Sequence, residues 1–299
     1  MKNISYLVFL SIFLVVSCKT KKDETTLSEA IRINQVGFYP NAVKQFVVAD
    51  LEVSAFEILD ENEKSVFSGT FVDKGLWEAS GEKVLMGDFS SLNIEGKYTI
   101  VVDGKYNSYP FEIKSKVYNE ALNAAIKSYY FQRASMAIEE EFGGVYKREA
   151  GHPDNNCTFH PSSGHSKGSS NSPGGWYDAG DYGKYIVNAT VSTGQMLNLV
   201  DQFPNIIADG ALKIPESGNG VSDLLDELKY ELDWILTMRD TDGGVFHKLT
   251  AKNFGGFMMP NEYDLERMII GKGTAATLDF AAVMAQASRI YKNIDVVWA

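Results

Sequence analysis

Short runs of β-branched and aromatic residues, separated by turn-forming residues, fill the chain from residue 31 to residue 113. The runs are residues 31–36, 44–49, 55–59, 65–70, 84–89, 98–102 and 109–113. Apolar residues alternate with polar ones in several runs, as at Phe56 and Ile58, which is typical of strands with one buried face. The breaks between runs carry Gly37, Gly69, Gly87, Gly96 and Gly104, where positive φ is often required. This spacing predicts a β-sandwich.

After Lys114 the apolar period changes to that of a helix. The predicted helices are residues 117–138, 184–202, 221–238 and 273–291. A long connection over residues 142–175 separates the first two helices, and connections of that length are commonly functional. The pattern indicates a second, helical domain whose loops border a cleft.

The first residues carry an export pattern. Lys2 precedes an apolar run over residues 6–16 that is too short to span a bilayer comfortably. The run ends in VVSC, which resembles the lipobox of bacterial lipoproteins, in which the cysteine is acylated. We predict a signal peptide over residues 1–17, a lipid anchor on Cys18 and a flexible linker over residues 18–29. The expected location is the bacterial outer membrane, on the periplasmic or the cell-surface side; an ordinary signal peptide with a chance cysteine is the alternative.

Composition and charge narrow the classes of partner. At 299 residues and 44% hydrophobic composition, the chain is long enough for two domains of about 150 residues each. The formal charge of −11 argues against a nucleic-acid partner, because phosphate binding needs clustered Lys and Arg. A neutral polysaccharide suits such a surface. With Cys18 acylated, Cys157 has no cysteine to pair with, so no internal disulfide is expected.

The densest polar and aromatic cluster is PGGWYDAGDYGKY at residues 173–185. Asp178 and Asp181 lie three positions apart, so a helical or turn-like backbone would point both carboxylates to one side. Two such carboxylates can grip one water molecule, with one aligning it and the other accepting its proton. Neighbouring aromatic rings offer flat faces for sugars, and we predict substrate contacts for Trp176, Tyr177 and Tyr182.

A purely structural interpretation of the same aspartates is helix capping. Asp178 would cap the helix that follows, and Asp181 would complement its dipole, stabilising it by about 1 kcal/mol. A simple cap does not require the surrounding glycines and aromatic residues.

Several segments resemble glycoside hydrolase family 9. GGWYDAGDYGKY at residues 174–185 looks like its signature, and IRINQVGF at residues 31–38 looks like the opening strand of the immunoglobulin-like module that precedes many of its catalytic domains. Further matches are PESGN, LDE, ELDW, DGGV and AAT, beginning at residues 215, 225, 231, 242 and 275. The resemblance implies a multidomain protein: an immunoglobulin-like β-sandwich over residues 30–115, then the N-terminal portion of an all-α (α/α)6 toroid over residues 116–299.

The resemblance also implies a reaction, which is hydrolysis of β-1,4-glucosidic bonds in cellulose or related β-glucans with inversion at the anomeric carbon. Carried onto this sequence, Asp181 is the general base and Asp178 positions the water. The family's general acid is a glutamate in the C-terminal half of the toroid, and no residue up to Ala299 matches its motif. The chain by itself is therefore expected to be inactive. Two alternatives remain open: a non-catalytic glycan-binding lipoprotein and an exo-acting glucosaminidase of the same family.

Two segments suggest metal binding. Structural calcium is expected at a turn rich in oxygen donors, which matches a calcium-binding segment of the family, at Glu216, Asn219, Gly220 and Asp223. A zinc site is a second prediction, at His152, Cys157, His160 and His165. Relatives often use two cysteines and two histidines, whereas only one cysteine is present here, so histidines lining the cleft are the alternative.

Two further side chains have both a substrate-binding and a structural interpretation. His247, near a DGG loop expected over the sugar channel, could hydrogen-bond substrate hydroxyls or serve only the fold. Trp234 lies on the apolar face of a predicted helix, which favours a core residue over a sugar platform.

Overall fold

The structure, a computed structural model, describes residues 25–299. The predicted signal peptide, Cys18 and most of the predicted linker lie outside this range. The described chain divides into two compact units, with the boundary between Tyr118 and Asn119. Across residues 25–299, no helix combines the length and the apolar character needed to cross a membrane.

The first unit is built from two β-sheets. Its strands are β1 (Thr26–Leu27), β2 (Ile31–Arg32), β3 (Gln45–Ala49), β4 (Ala55–Asp60), β5 (Ser65–Thr70), β6 (Val72–Trp77), β7 (Glu82–Asp88), β8 (Gly96–Val102), β9 (Tyr106–Asn107) and β10 (Phe111–Ile113). One sheet has the order β1-β9-β8-β4-β5, with β10 also paired to β8, and the other has the order β2-β3-β7-β6. All seven predicted runs contain a strand.

Aromatic side chains from both sheets form the core of this sandwich. Phe46 of β3 meets Phe56 of β4 edge to face, with ring centroids 4.9 Å apart. Along β4, Phe56 and Ile58 point inward and are almost fully buried, whereas Glu57 is exposed. The alternation seen in the sequence is therefore the alternation between the two faces of the sheet.

Three of the five glycines assigned to breaks lie in strands instead: Gly96 begins β8, and two others lie within strands. Gly69 is in β5 and Gly87 is in β7, and neither has positive φ. A Cβ atom on Gly87 would lie 2.2 Å from the ring of Phe46, and one on Gly69 would lie 2.6 Å from the ring of Phe56. These glycines make room for the core aromatic rings rather than for turns.

The first unit has three strands where the sequence predicted none: β1, β6 and the two-residue β9. Residues Thr26–Leu27, placed in the linker, form β1 and pair in parallel with β9. Strand β6 is an edge strand, and all six of its residues are exposed, so it lacks the buried face on which the prediction relied. Because β1 pairs with β9, residues 26–27 of the predicted linker belong to the sandwich.

The second unit combines helices with a small sheet. Its helices are α1 (Asn119–Gln132), α2 (Glu140–Gly143), α3 (Ile186–Gln202), α4 (Asp223–Thr237) and α5 (Thr274–Tyr291). Its strands are β11 (Cys157–Phe159), β12 (Ser169–Ser170), β13 (Lys184–Tyr185), β14 (Phe246–Ala251) and β15 (Arg267–Lys272), in the order β12-β11-β15-β14-β13. Single 3-10 turns occupy Gly144–Tyr146, Pro161–Ser163 and Pro260–Glu262. Helices α3, α4 and α5 begin and end within two residues of their predicted bounds.

Helix α4 supplies much of the core of this unit. Leu228, Leu232 and Trp234 are completely buried, which confirms Trp234 as a core residue. Leu228 and Leu232, four residues apart, share one face of the helix, whereas Trp234 lies on another side, against Gly175 and Lys184. Helix α4 also contacts α3 and α1. The same helix carries two fully buried glutamates, Glu227 and Glu231, whose partners lie in the loop before α3.

The first helix is shorter than the predicted 117–138. It ends at Gln132, whose carbonyl accepts a hydrogen bond from the backbone N–H of Tyr177 at 2.8 Å. Beyond it, the N–H of Ala134 donates to the carbonyl of Gly175 at 2.7 Å. The backbone after α1 therefore pairs with a distant loop, and helical periodicity in the sequence cannot report such a long-range contact.

Candidate active site

The segment with the two predicted catalytic aspartates forms a tight turn between α1 and α3. The N–H of Asp178 donates to the carbonyl of Gly183 at 2.9 Å, and the N–H of Tyr182 donates to the carbonyl of Ala179 at 3.0 Å. Tyr182 has φ of +53°, a conformation that is uncommon for residues other than glycine. The turn brings Asp178 and Asp181 to the surface of the unit.

Each of the two carboxylates is oriented by a neighbouring side chain. Asp178 is exposed, and its Oδ1 accepts a hydrogen bond from Nδ2 of Asn188 at 2.7 Å. Asp181 is half-buried; its Oδ2 accepts from the Tyr185 hydroxyl at 2.5 Å, and its Oδ1 accepts from the N–H of Gly183 at 3.2 Å. Burial, and then the bond to Asp181, raises the pKa of Tyr185 to about 12, so this hydroxyl keeps its proton as a donor at neutral pH.

The geometry excludes the helix-capping interpretation. Helix α3 begins at Ile186, and its N-cap residue is Tyr185, which makes no side-chain capping hydrogen bond. The first turn of α3 contains no acidic residue. Asp178 and Asp181 therefore do not stabilise this helix end, and their carboxylates remain available to a ligand.

The predicted sugar contacts are only partly compatible with the structure. Trp176 and Tyr177 are 6% and 3% exposed, so neither ring has a free face for a sugar, and these two predictions are wrong. Both rings turn inward because their polar atoms bind buried partners: the Trp176 indole N–H donates to Glu227 at 2.8 Å, and the Tyr177 hydroxyl lies 2.8 Å from Nδ1 of His152. Tyr182 is partly exposed beside Asp181 and stays a candidate.

His247 is far from the turn in sequence, but its strand pairs with Lys184 and Tyr185, which directly follow the turn. It is exposed on β14, the strand that pairs with β13 immediately before α3. Its role in substrate binding stays a prediction.

A buried ion-pair network holds the base of the turn from one side. Arg133, which is completely buried just after α1, donates from Nε to Glu227 at 3.1 Å and from Nη1 to Glu216 at 2.8 Å. Its guanidinium also lies over the ring of Tyr230, 4.4 Å from the centroid. Glu227 in turn accepts the Trp176 indole hydrogen bond. The end of α1, the middle of α4 and the start of the turn are thereby tied together.

A second buried network holds the turn from the other side. Nζ of Lys184, completely buried, lies 2.8 Å from Asp154 and donates to the carbonyls of Ser172 and Gly174 at 2.9 and 2.8 Å. Asp154 also accepts from Nε of Arg267 at 3.0 Å. Burial pushes the pKa of Asp154 upward, but the two cations together hold it below its ordinary value. This carboxylate is therefore ionised at neutral pH.

Glu231, buried beneath the turn, has a hydrogen bond at only one of its two carboxylate oxygens among the described residues. Its Oε2 accepts the backbone N–H of Trp176 at 2.5 Å, and its Oε1 has no hydrogen-bond partner among residues 25–299. Complete burial raises the pKa of Glu231 from 4.5 to about 8. The side chain therefore carries a proton at neutral pH, which lowers the cost of burying it beside Glu227.

Comparison with known proteins identifies the family. The model of glycosyl hydrolase family 9 matches residues 118–299, which is more than half of the chain. The chain belongs to glycosyl hydrolase family 9. The model of the cellulase N-terminal ig-like domain matches residues 26–107. The predicted fold class is thereby confirmed: an immunoglobulin-like β-sandwich precedes part of the family's (α/α)6 toroid.

Relatives within this family are clearly similar over nearly the whole chain. The chain is 41% identical over 305 residues to a xyloglucan-specific endo-beta-1,4-glucanase of Bacteroides ovatus, covering 99% of this chain and 51% of that protein. It is 39% identical over 273 residues to Endoglucanase D of Acetivibrio thermocellus, covering 90% and 43%. A solved Bacteroides ovatus GH9 structure has a TM-score of 0.84 at 42% identity, over 90% of this chain and 50% of that one. The chain thus spans about half the length of the curated relatives it matches.

The predicted calcium ligands are bonded to other protein groups in this structure. They are Glu216, Asn219, Gly220 and Asp223. Glu216 is bound to Arg133 through both of its oxygens, and buried Asp223 accepts the N–H groups of Gly210 and Leu212 at 2.9 and 2.7 Å. Within the described range, no three His, Cys, Asp or Glu side chains form a group able to hold a metal ion. As arranged here, these residues do not fit a calcium cage, and calcium stays a prediction.

The predicted zinc ligands each contact other protein groups, although Nε2 of His152 has no hydrogen-bond partner among residues 25–299. They are His152, Cys157, His160 and His165. His165 Nε2 lies 3.0 Å from the carboxylate of Asp240, and its ring stacks on Phe159 with centroids 4.4 Å apart. Cys157 is buried, with its Sγ 3.5 Å from the carbonyl of Asp154, and within residues 25–299 no group of three or more His, Cys, Asp or Glu residues is placed to hold a metal ion. The donor set does not fit a closed zinc site.

Sequence reasoning missed the residues that orient the aspartates and support the turn. Asn188 stands in the first turn of α3, where a polar residue interrupts an apolar stretch, and that interruption was the available signal. Lys184 and Glu231 were part of the matched motifs, but their contacts with Asp154 and Trp176 join residues far apart in sequence.

The Lys184 network predicts a large loss of stability from a single substitution. In Lys184→Met, Asp154 loses one of its two cations, and the buried carbonyls of Ser172 and Gly174 lose a donor. We expect the free energy of unfolding to fall by about 3 kcal/mol, measured by urea denaturation. Exposed Lys292→Met, the control, should change it by less than about 0.5 kcal/mol. Equal values for the two variants would contradict the argument.

Glu231 predicts a specific pH dependence. Its pKa is higher in the folded protein, about 8, than the ordinary value of 4.5, so as pH rises through this window the unfolded chain releases a proton that the folded protein retains. Stability is therefore lost from about pH 4.5 to about pH 8, at about 1.4 kcal/mol per pKa unit. Glu231→Gln removes this titration. Its melting temperature should fall less than that of the parent between pH 5 and pH 8, whereas exposed Glu141→Gln should follow the parent.

Proposed function

We propose that the protein hydrolyses β-1,4-glucosidic bonds in cellulose or related β-glucans by an inverting mechanism. The observation that carries this proposal is the turn of Asp178 and Asp181. Neither carboxylate caps helix α3, and both reach the surface of the unit. The backbone that carries them is held by the buried ion pairs Arg133–Glu227 and Lys184–Asp154. Membership of glycosyl hydrolase family 9 supports the same conclusion.

In this mechanism Asp181 is the general base and Asp178 positions the attacking water. Asp181 is held by one hydroxyl and one backbone N–H donor, which fix its direction and leave lone pairs for a water proton. Asp178, more exposed and held by Asn188, is suited to orienting the same water. Inversion also requires a carboxylic acid on the opposite side of the sugar, roughly 6.5–9.5 Å from the base. We assign that role to no residue of this sequence.

The substrate we propose is a neutral β-glucan. The formal charge of −11 opposes polyanionic substrates, and relatives at 41% and 39% identity are named as a xyloglucan-specific glucanase and an endoglucanase. Xyloglucan, mixed-linkage glucan and swollen cellulose, all uncharged, are therefore the substrates to compare first. Chitosan oligosaccharides test for a glucosaminidase.

The base assignment is tested by reducing-sugar release from these substrates by the full-length protein and by Asp181→Asn. Removing a general base should lower the rate by about 10²- to 10⁴-fold, with glucan affinity retained because the amide keeps the shape of the side chain. Asp73→Asn, on the exposed edge strand β6, is the control and should leave the rate unchanged. Undiminished release by Asp181→Asn would reject the mechanism, and glucan binding without release by the parent would indicate a binding protein.

We also propose that the protein is exported and anchored to the bacterial outer membrane through acylated Cys18. The motif VVSC after an apolar run is the supporting feature. Cells that express the full-length protein should incorporate labelled palmitate into it and retain it in the membrane fraction. Cys18→Ser should abolish the label and release the protein from that fraction. Labelling of Cys18→Ser at the parent level would rule out this anchor.

A further inference from the structure

A groove runs over the outer face of the larger sheet of the first unit. Its volume is about 1010 Å³, and residues of β4, β5, β8 and β9 line it. One row across this face consists of Asn107 of β9, Val101 of β8 and Glu57 of β4, which are paired in that order. Thr25, the first residue of the described range, also lines the groove. The chain that precedes Thr25 therefore enters the sandwich beside the groove.

Val101 is more deeply buried than its position on the outer face explains. Ile100 and Val102, its neighbours in β8, point into the core and are fully buried. Successive side chains of a strand point to opposite faces, so Val101 points away from the core, yet it is only 8% exposed. Beside it, Oδ1 of Asn107 is buried and has no hydrogen-bond partner among residues 25–299. A buried apolar side chain and a bare acceptor on the same outer face indicate that a further segment covers them.

The groove is acidic. Its described lining residues include four carboxylates, Glu57, Asp60, Glu63 and Asp103, and none of them is a Lys or an Arg. Asp103 accepts hydrogen bonds from the backbone N–H groups of Ala55 and Ser54, which hold the pKa of its carboxyl below its ordinary value. These backbone donors carry no formal charge, so they leave the negative charge of the carboxylate in place. Such a surface favours a cationic occupant.

The sequence immediately before the groove carries the complementary charge. Residues 19–24 read KTKKDE, and their basic side chains are Lys19, Lys21 and Lys22. The two acidic residues of this segment are next to Thr25, so its basic end is the end farther from the sandwich. The lysines are therefore suited to carboxylates that lie farther along the groove.

The same segment has the length that the groove requires. Thr26 pairs with Tyr106, in the row that leads to Phe56 near the start of β4, whereas Asp60 ends that strand. The rise of a strand puts Asp60 about 17 Å from the first residue of β4. Six extended residues span about 20 Å. Residues 19–24 are thus long enough to cross the outer face and bring a lysine to Asp60.

We propose that residues 19–24 bind in this groove, with their lysines against Glu57, Asp60 and Asp103 and their backbone over Val101. A backbone N–H of the segment would then supply the missing donor to Asn107. Bound in this way, the segment holds Cys18 against the sandwich, so a lipid on Cys18 would keep this unit next to the membrane surface. The binding itself depends neither on the proposed hydrolysis nor on the proposed acylation.

The test is limited trypsin digestion of the full-length protein, because trypsin cleaves after lysine and requires an accessible segment. Mass spectrometry follows cleavage after Lys21 and Lys22, and each rate is divided by that of a free peptide of residues 19–27. Glu57→Lys should raise the relative rate about fivefold, since it replaces attraction by repulsion at an exposed position. Glu78→Lys, on an exposed turn outside the groove, is the matched control and should be cleaved like the parent.

A salt series on the parent gives a second measurement that needs no variant. About 0.5 M sodium chloride screens exposed ion pairs, so it should raise the relative cleavage rate of the parent toward that of Glu57→Lys. If Glu57→Lys melts at a lower temperature than the parent, this series alone decides, and a rate that does not respond to salt overturns the proposal.

Three other outcomes also overturn it. Equal cleavage rates for the parent and Glu57→Lys would show that the groove does not hold the segment. Unchanged cleavage with loss of a dimer in sedimentation of Glu57→Lys would show that a second copy occupies the groove. Unchanged cleavage, with a calcium-dependent rise in melting temperature that Glu57→Lys abolishes, would show that a metal ion occupies it.

Discussion

The buried ammonium group of Lys184 is the interaction on which the candidate site most depends. It neutralises Asp154 and at the same time donates to two backbone carbonyls, of Ser172 and Gly174, that precede the aspartate turn. A completely buried lysine is costly unless its donors have partners; here the partners are Asp154 and two carbonyls that precede the aspartates, while Lys184 itself follows them. The requirement to satisfy this one charge therefore fixes the path of the backbone that carries Asp178 and Asp181.

Helix α4 shows how one element serves both the core and the site. It buries Leu228, Leu232 and Trp234, while Glu227 and Glu231 on the same helix bind the indole and the backbone of Trp176. Packing of the core and placement of the turn are consequently coupled. This explains why Trp176, which looks like a sugar platform in the sequence, is instead a structural link between the helix and the turn.

The side chains predicted to bind calcium or zinc also form hydrogen bonds and ion pairs within the protein. Glu216 completes the pairing of Arg133, Asp223 binds backbone N–H groups, and His165 lies against Asp240. These contacts orient the same groups whether or not a cation binds there, and both metal sites stay predictions.

The sequence by itself determined the two-domain organisation, the strands with one buried face, the bounds of the three long helices and the location of the aspartate turn. These features depend on local periodicity or on a contiguous motif, both of which can be read along the chain. Only the tertiary structure decided that α1 stops at Gln132, that Gly87 makes room for Phe46, and that Trp176 and Tyr177 are buried. Each of these depends on a partner dozens of residues away, and the number of such pairings is too large for residue type alone to select among them. The direction of a side chain, and therefore its availability to a substrate, is a property of those long-range contacts.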